Sequence, residues 1–345
     1  MLRPILPLLC GFLLLILATA CRQERTLAPI RLGGETMGTT WSLTMQPVAG
    51  GTDPAALEAL LQERLEQINR LMSTYDAESE ISRFNNQATS DWFAISEQTA
   101  QVIALALEIS ALTDGAFDIS VGPLVELWGF GATARGETIP SADQVSAALA
   151  AVGYQNIRLR RDPAAISKLA PQLRIDLSAI AKGYAVDALG ELLDQQGISD
   201  YLVEIGGEMK VSGSRGDGTP WRIAIEKPLE GAREVALVLP LRATALATSG
   251  NYRNFYEENG ERYAHTLDPV SGRPIRHKLA SVTVLDETCA RADALATAIM
   301  VMGEAKGRRF CEENRIAAYF LIHEKTSLEV YASPAFQRFV EAAKR

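Results

Sequence analysis

The sequence predicts a single intertwined α+β body, and three observations carry that prediction. From about Pro29 onward, strand-like and helix-like segments alternate with no Pro/Ser-rich boundary, low-complexity tract or internal repeat between them. Apolar residues recur at helical period in some segments, while others are rich in β-branched and aromatic residues. The 345 residues, 47% apolar and 22% charged, supply a sizeable core and exclude an intrinsically disordered chain. The formal charge of −8, with no run of five or six basic residues, excludes a nucleic-acid protein, because neutralising phosphates needs clustered Lys and Arg.

The first 20 residues read as a targeting segment. Arg3 forms a short positive region, and Ile5 to Ala20 is almost unbroken apolar sequence ending in small residues. Its 16 residues are short for a membrane span, which needs about 20, and fit a secretory signal. Leu17-Ala18-Thr19-Ala20-Cys21 resembles the lipobox of bacterial lipoproteins, in which the Cys is acylated and becomes the new N-terminus. A plain secreted protein with an incidental Cys21 is the alternative. The lipobox reading assigns residues 1–20 to the signal, 21–29 to a lipidated N-terminus and linker, and 30–345 to the folded body. It places that body on the periplasmic side of a bacterial membrane, held by acyl chains on Cys21. Cys289 and Cys311 are then the only cysteines of the folded body; their spacing makes no metal framework, and they read as buried thiols, with pairing in an oxidising compartment the alternative.

Along the body, Asp53-Pro54 places a capping residue and a first-turn proline before Leu57, Leu60, Leu61, Leu65, Ile68 and Leu71, which predicts a core-facing helix. A second helix is predicted from about Ser96 to Leu112. The stretch from Thr113 to Pro123 around Phe117 is dense in turn residues and suits either a ligand-clasping loop or a structural turn. Ser141 with Gln144 forms a capping-box pattern that opens a third helix. Next, a strand is predicted to end at Asp176, with Ser178 as the cap of a helix through Lys182 and Tyr184. Strands are predicted over Tyr201 to Ile205, Trp221 to Ile225, Val235 to Leu239 and Ser281 to Leu285, with a hairpin-like loop over Val211 to Gly218. Gly206-Gly207 reads as a tight turn.

Few of these residues carry chemistry by themselves. No phosphate-loop or dinucleotide-binding glycine signature is present, and the three His residues, His265, His277 and His323, form no HExxH motif. Any metal is therefore expected on oxygen ligands. Asp293 and Thr297 lie one turn apart on one helix face, flanked by alanines, and a carboxylate with a hydroxyl suits a hard cation such as Mg²⁺. The local alternative is an Asp favoured by the helix dipole and a Thr bonded back to the preceding turn. Lys182 near a helix N-terminus suits a phosphate group, with a solvated lysine as its alternative.

Taken together and in order, Met37-Gly38-Thr39, Met72-Ser73-Thr74-Tyr75, Gly115-Ala116-Phe117-Asp118, Asp176 to Tyr184, Gly206-Gly207, His265-Thr266-Leu267-Asp268-Pro269 and Ala292 to Thr297 cover nearly all of the mature chain. In that order they resemble the FAD:protein FMN transferases, the ApbE family. The resemblance implies an α+β, T-fold-related body of two lobes with the flavin site between them. It implies that Met37, Tyr75, Ala116, Phe117, Asp118, Asp176, Lys182 and Leu267 line an FAD site. It further implies that the main-chain carbonyl of Ala179 holds Mg²⁺ together with Asp293 and Thr297.

The implied reaction moves the FMN half of FAD onto a Thr or Ser hydroxyl of a target protein and releases AMP. The family's targets include subunits of sodium-pumping redox complexes. His265 is the expected general base, since an unperturbed imidazole pKa of about 6.5 suits proton transfer near neutrality; a hydrogen bond to flavin or backbone is its alternative role. Hydrolysis of FAD to FMN and AMP at the same site, or FAD binding without turnover, are the competing functions.

Overall fold

In a computed structural model, which describes residues 28–344 other than 49–50, 134–138, 230–233, 252–254, 259–260 and 326, eight strands pair into one sheet whose spatial order is their order along the chain. They are β1 (Ile30–Thr36), β2 (Thr39–Met45), β3 (Tyr201–Ile205), β4 (Glu208–Ser212), β5 (Thr244–Gly250), β6 (Leu279–Asp286), β7 (Ala317–His323) and β8 (Leu328–Ala332). Every neighbouring pair is antiparallel. The signal segment and Cys21 lie outside the described residues, and among the described residues no helix is long and apolar enough to cross a membrane.

The excursions between strands carry the helices. Between β2 and β3 lie α1 (Pro54–Met72), α2 (Glu80–Asn86), α3 (Glu97–Leu112), α4 (Gly122–Leu127), α5 (Ala142–Leu149) and α6 (Ala181–Gln195). The long α7 (Cys289–Glu313) joins β6 to β7, and α8 (Pro334–Ala343) follows β8. Local sequence explains most boundaries. Asp53 caps α1 by accepting from Ala55 and Ala56, Ser96 caps α3 through Thr99, and Ser141 with Gln144 closes a reciprocal capping box on α5.

The sheet separates two cores by strand periodicity. Ala245, Ala247, Val282, Val284, Ala318 and Phe320 face a core shared with α1, α3, α6 and α7. Their alternates Leu246, Leu285, Ala317, Tyr319 and Leu321 face a second core closed by α8 and the hairpin Trp221–Glu226/Val235–Leu241. Burial on both faces explains why β7 reads as continuous apolar sequence. A third cluster, Leu124, Trp128, Val145, Tyr263 and Leu267, joins α4 and α5 to the segment before β6, with Trp128 donating to the Gly272 carbonyl at 2.8 Å.

Three local expectations differ from the structure. Ser178 does not cap α6: its own N–H is taken by the Asp176 carboxylate at 2.7 Å, a turn runs through Ile180, and the helix starts at Ala181 without a side-chain cap of its own. The residues around Asp176 make one isolated bridge, Val121 to Arg174, in place of a strand. The expected loop over Val211 to Gly218 starts later, because Gly206-Gly207 turns the chain directly into β4 through Ser212. Cys289 and Cys311 are buried free thiols, and burial pushes the Cys311 thiol up to about 12.

Candidate active site at the β1–β2 and β3–β4 turns

Two tight turns mark one end of the sheet. β1 and β2 are joined by Met37-Gly38, with φ of 49° and 70°, and β3 and β4 by Gly206-Gly207, with φ of 61° and 109°. Two-residue hairpins favour positive φ because it matches strand twist, and Gly or Asn normally provides it. Met37 is half-buried and departs from that preference; a non-glycine held at positive φ points to a functional constraint. The turns adjoin: Gly206 donates to the Thr40 carbonyl at 3.2 Å, and a Cβ on Gly206 would lie 2.9 Å from Thr39 Cγ2.

Over the same end of the sheet α6 meets α7 at unusually close range. A Cβ on Gly183 would sit 2.4 Å from the Cys289 carbonyl oxygen. Neither helix has a side-chain cap from its own N-cap residue. Instead Asp293 of α7 accepts from Gly183 N–H at 3.1 Å, and Asp187 of α6 accepts from Ala290 N–H at 2.9 Å. Each helix thus closes the other's N-terminus, where free N–H groups and the dipole favour negative charge.

Charge balance follows from this crossing. Lys182 Nζ lies 3.0 Å from Glu208 and 3.9 Å from Asp293, and Lys210 pairs with Asp187 at 2.9 Å. Burial pushes the Glu208 carboxyl up to about 7 against the pull of Lys182. Burial also raises Asp293, opposed by Lys182 and the Gly183 N–H. Desolvation works to lower the Lys182 ammonium, but Asp293 and Glu208 together hold it above the ordinary lysine range. Glu208 and Asp187 carry no sequence signal beyond their type. Glu208 gains meaning only from its place directly after the Gly206-Gly207 turn.

Asp293 and Thr297 do share a helix face beside the sheet end, with Thr297 Oγ1 3.3 Å from Ser249 Oγ at the end of β5. Asp293 Oδ2 is engaged by Gly183, and among the described residues no hydrogen bond engages Oδ1. No three His, Cys, Asp or Glu side chains among the described residues converge to hold a metal. A free carboxylate oxygen and a hydroxyl one turn on are nevertheless hard donors of the kind that Mg²⁺ takes while keeping waters or phosphate oxygens. The residues present fit that ion.

The other expected site residues fall into two groups. Tyr75 is 69% exposed, its hydroxyl reaches the Phe130 carbonyl at 3.3 Å, and burial together with the negative charges of Asp176 and Glu126 raises its pKa. Phe130 meets His265 edge-on, with ring centroids 6.4 Å apart, so Tyr75, Phe130 and His265 form one half-open wall. Asp176 lies within the electrostatic reach of that wall and is tied to the 113–120 loop by its N–H on the Ile119 carbonyl at 2.8 Å.

Phe117 and Asp118, by contrast, turn inward. The Phe117 ring is in the main core, and the Asp118 carboxylate accepts from Ser120 N–H, Ser120 hydroxyl and Tyr154 N–H at 2.6–2.8 Å. What this loop offers outward is half-buried Ala116 and backbone. Leu267 is likewise buried, in the third cluster.

A family model described as the ApbE family matches residues 37–320. The chain is 43% identical over 326 residues to the FAD:protein FMN transferase of Vibrio cholerae serotype O1, covering 94% of this chain and 96% of that protein. It is 40% identical over 316 residues to the FAD:protein FMN transferase of Escherichia coli K12, covering 91% and 90%. Among solved structures, flavin transferase ApbE from Vibrio cholerae superposes with a TM-score of 0.84 at 42% identity, over 90% of this chain and 99% of that one. The apo flavinyl transferase ApbE of Pseudomonas stutzeri superposes with a TM-score of 0.83 at 39% identity, over 90% and 96%.

The helix crossing is open to direct test. Replacing Gly183 with Ala adds up to about 1 kcal/mol of helix propensity. The new methyl, however, meets backbone at 2.4 Å, and overpacking of this kind costs about 1–3 kcal/mol. Gly183→Ala is therefore expected to lower stability in urea denaturation; a variant as stable as the parent would show that the crossing has slack.

Proposed function

The chain belongs to the ApbE family and is a flavin transferase; from that premise we propose that it moves the FMN half of FAD onto a Thr or Ser hydroxyl of a target protein, releasing AMP and leaving a phosphoester. The observation that supports this reading most strongly is the placing of Asp293, Thr297 and the α6 N-terminus together at the sheet end marked by Met37-Gly38 and Gly206-Gly207. The wall formed by Tyr75, Phe130 and His265 supplies the reacting half of the site.

Asp293, Thr297 and the carbonyl of Ala179 would hold Mg²⁺, whose chemistry when bound is to neutralise the pyrophosphate and the departing AMP phosphate. The chain's own residues do the rest. At the N-terminal turn of α6 the Gly183 N–H is taken by Asp293 and the Ala181 N–H by the Leu177 carbonyl, so the turn favours phosphate through its dipole. Met37, Ala116 and Asp176 contribute turn backbone and a carboxylate along the FAD-binding surface, while Phe117, Asp118 and Leu267 shape it from within. Lys182 adds positive charge beside the phosphates. His265 takes the proton of the acceptor hydroxyl as oxygen attacks phosphorus, and the phosphoanhydride bond to AMP breaks.

Acceptors are flavin-carrying proteins, such as subunits of sodium-pumping redox complexes. The site is exported and tethered through Cys21, a reading motivated by the small-residue run before that cysteine. Cys21→Ser is expected to leave the protein folded but move it from membrane to soluble fractions; retention of acyl label by this variant would overturn the anchor.

Incubation with FAD, Mg²⁺ and an acceptor separates the functions: AMP with fluorescent flavin on the acceptor marks transfer, AMP alone marks hydrolysis, and neither marks storage. His265→Ala is expected to lower transfer by roughly 10²–10⁴-fold with FAD affinity little changed. A collapse of FAD affinity with turnover preserved at saturation would make His265 a binding residue.

Asp293→Ala removes the one ligand charge at the cation seat, whereas Thr297→Ala removes a neutral oxygen that water partly replaces. Activity should fall further in the first, and added Mg²⁺ should rescue the second more. A fully active, Mg²⁺-responsive Asp293→Ala enzyme would remove the metal from the mechanism.

A further inference from the structure

We propose that Lys182 is the resident counter-ion of the Asp293 cation seat, held there by Glu208, and that this pair sets how tightly the seat takes a divalent ion. The inference rests on the reading above that Asp293 and Thr297 hold one. Its basis is the geometry of three charged side chains. The Lys182 ammonium lies 3.0 Å from Glu208 Oε1, a hydrogen-bonded ion pair, and 3.9 Å from Asp293 Oδ2, close enough to neutralise it without occupying it. Glu208 is 4% exposed and its Oε2 has no hydrogen-bond partner, so its burial depends on that ammonium.

The position of Lys182 is itself informative. It stands in the first turn of α6, where the helix dipole disfavours a cation, and its side chain is only 28% exposed although a lysine stem could reach solvent. The ammonium offsets negative charge that would otherwise meet a divalent ion arriving at Asp293. The ammonium therefore opposes the ion it sits beside. Glu208, by drawing the ammonium to its own oxygen, limits that opposition. At separations near 4 Å in partly buried surroundings, one unit charge shifts an affinity by an order of magnitude or more.

The test uses the full-length FAD-free protein with Mn²⁺ as probe, counting free ion by electron paramagnetic resonance. Lys182→Met is expected to bind Mn²⁺ about tenfold or more tightly than the parent. Glu208→Gln should bind it several-fold more weakly, because the ammonium then pairs with Asp293 alone. In a Lys182→Met background the Glu208→Gln effect should shrink to the direct loss of one neighbouring carboxylate charge, whereas a merely structural role for Glu208 would weaken both backgrounds equally. Asp293→Ala should abolish binding in every background. Lys182→Gln replaces Lys182→Met if circular dichroism shows that variant unfolded.

Asp293-dependent binding that is unchanged or weaker in the Lys182 variants overturns the counter-ion role and leaves the metal reading standing. Equal weakening by Glu208→Gln in both backgrounds overturns its action through Lys182. Absence of Asp293-dependent Mn²⁺ binding in every protein overturns this proposal and the metal reading together.

Discussion

The reciprocal closure of two helix N-termini is the constraint on which the site depends. Asp293 binds the Gly183 N–H of α6, and Asp187 binds the Ala290 N–H of α7. A helix begins with N–H groups that have no partner within the helix, and burial makes leaving them unmet costly. Because each helix supplies the other's missing acceptor, neither can slide or rotate without exposing both. Gly183 makes the exchange possible by letting the α7 backbone approach where any side chain would collide. One consequence is that Asp293 is fixed at the start of α6 with one oxygen engaged and the other open.

The sheet supplies the floor on which this crossing rests. Strand order follows chain order, so β2, β3, β4 and β5 deliver their ends side by side although the chain leaves the sheet for about 150 residues between β2 and β3. The turn at Met37-Gly38, the turn at Gly206-Gly207 with Glu208 behind it, and Ser249 under Thr297 are thereby brought to one place. Three of the four turn residues are glycines at positive φ, so Met37 is the one side chain the two turns present. Electrostatics complete the arrangement: the carboxylates that cap the helices are buried, and Lys182 and Lys210 supply the charges that make their burial tolerable.

In the loop holding Ala116, Phe117 and Asp118, the two most conspicuous side chains hold the loop itself in place. The Phe117 ring anchors the loop in the core, and the Asp118 carboxylate ties it to Ser120 and Tyr154. With both ends pinned, Ile119 is placed to accept the Asp176 N–H, which sets the segment that leads into α6. The loop thus helps position Asp176 and the α6 entrance.

The α+β class, the helices opened by Asp53, Ser96 and Ser141, and the strands at Tyr201, Trp221 and Val235 were legible in the sequence because caps and burial period are set by residues a few positions apart. So was the shared helix face of Asp293 and Thr297, a matter of spacing alone. Ser178 misled because the nearer Asp176 carboxylate took its N–H, and because the cap that α6 uses comes from 110 residues away. Glu208 and Asp187 were invisible for the same reason. A carboxylate's role depends on which charge and which N–H it meets, and the sheet order and the α6–α7 crossing decide that. Local hydrogen bonds and apolar period determined the elements; only the tertiary structure decided which buried charges face one another, because that pairing joins residues that no short-range pattern relates.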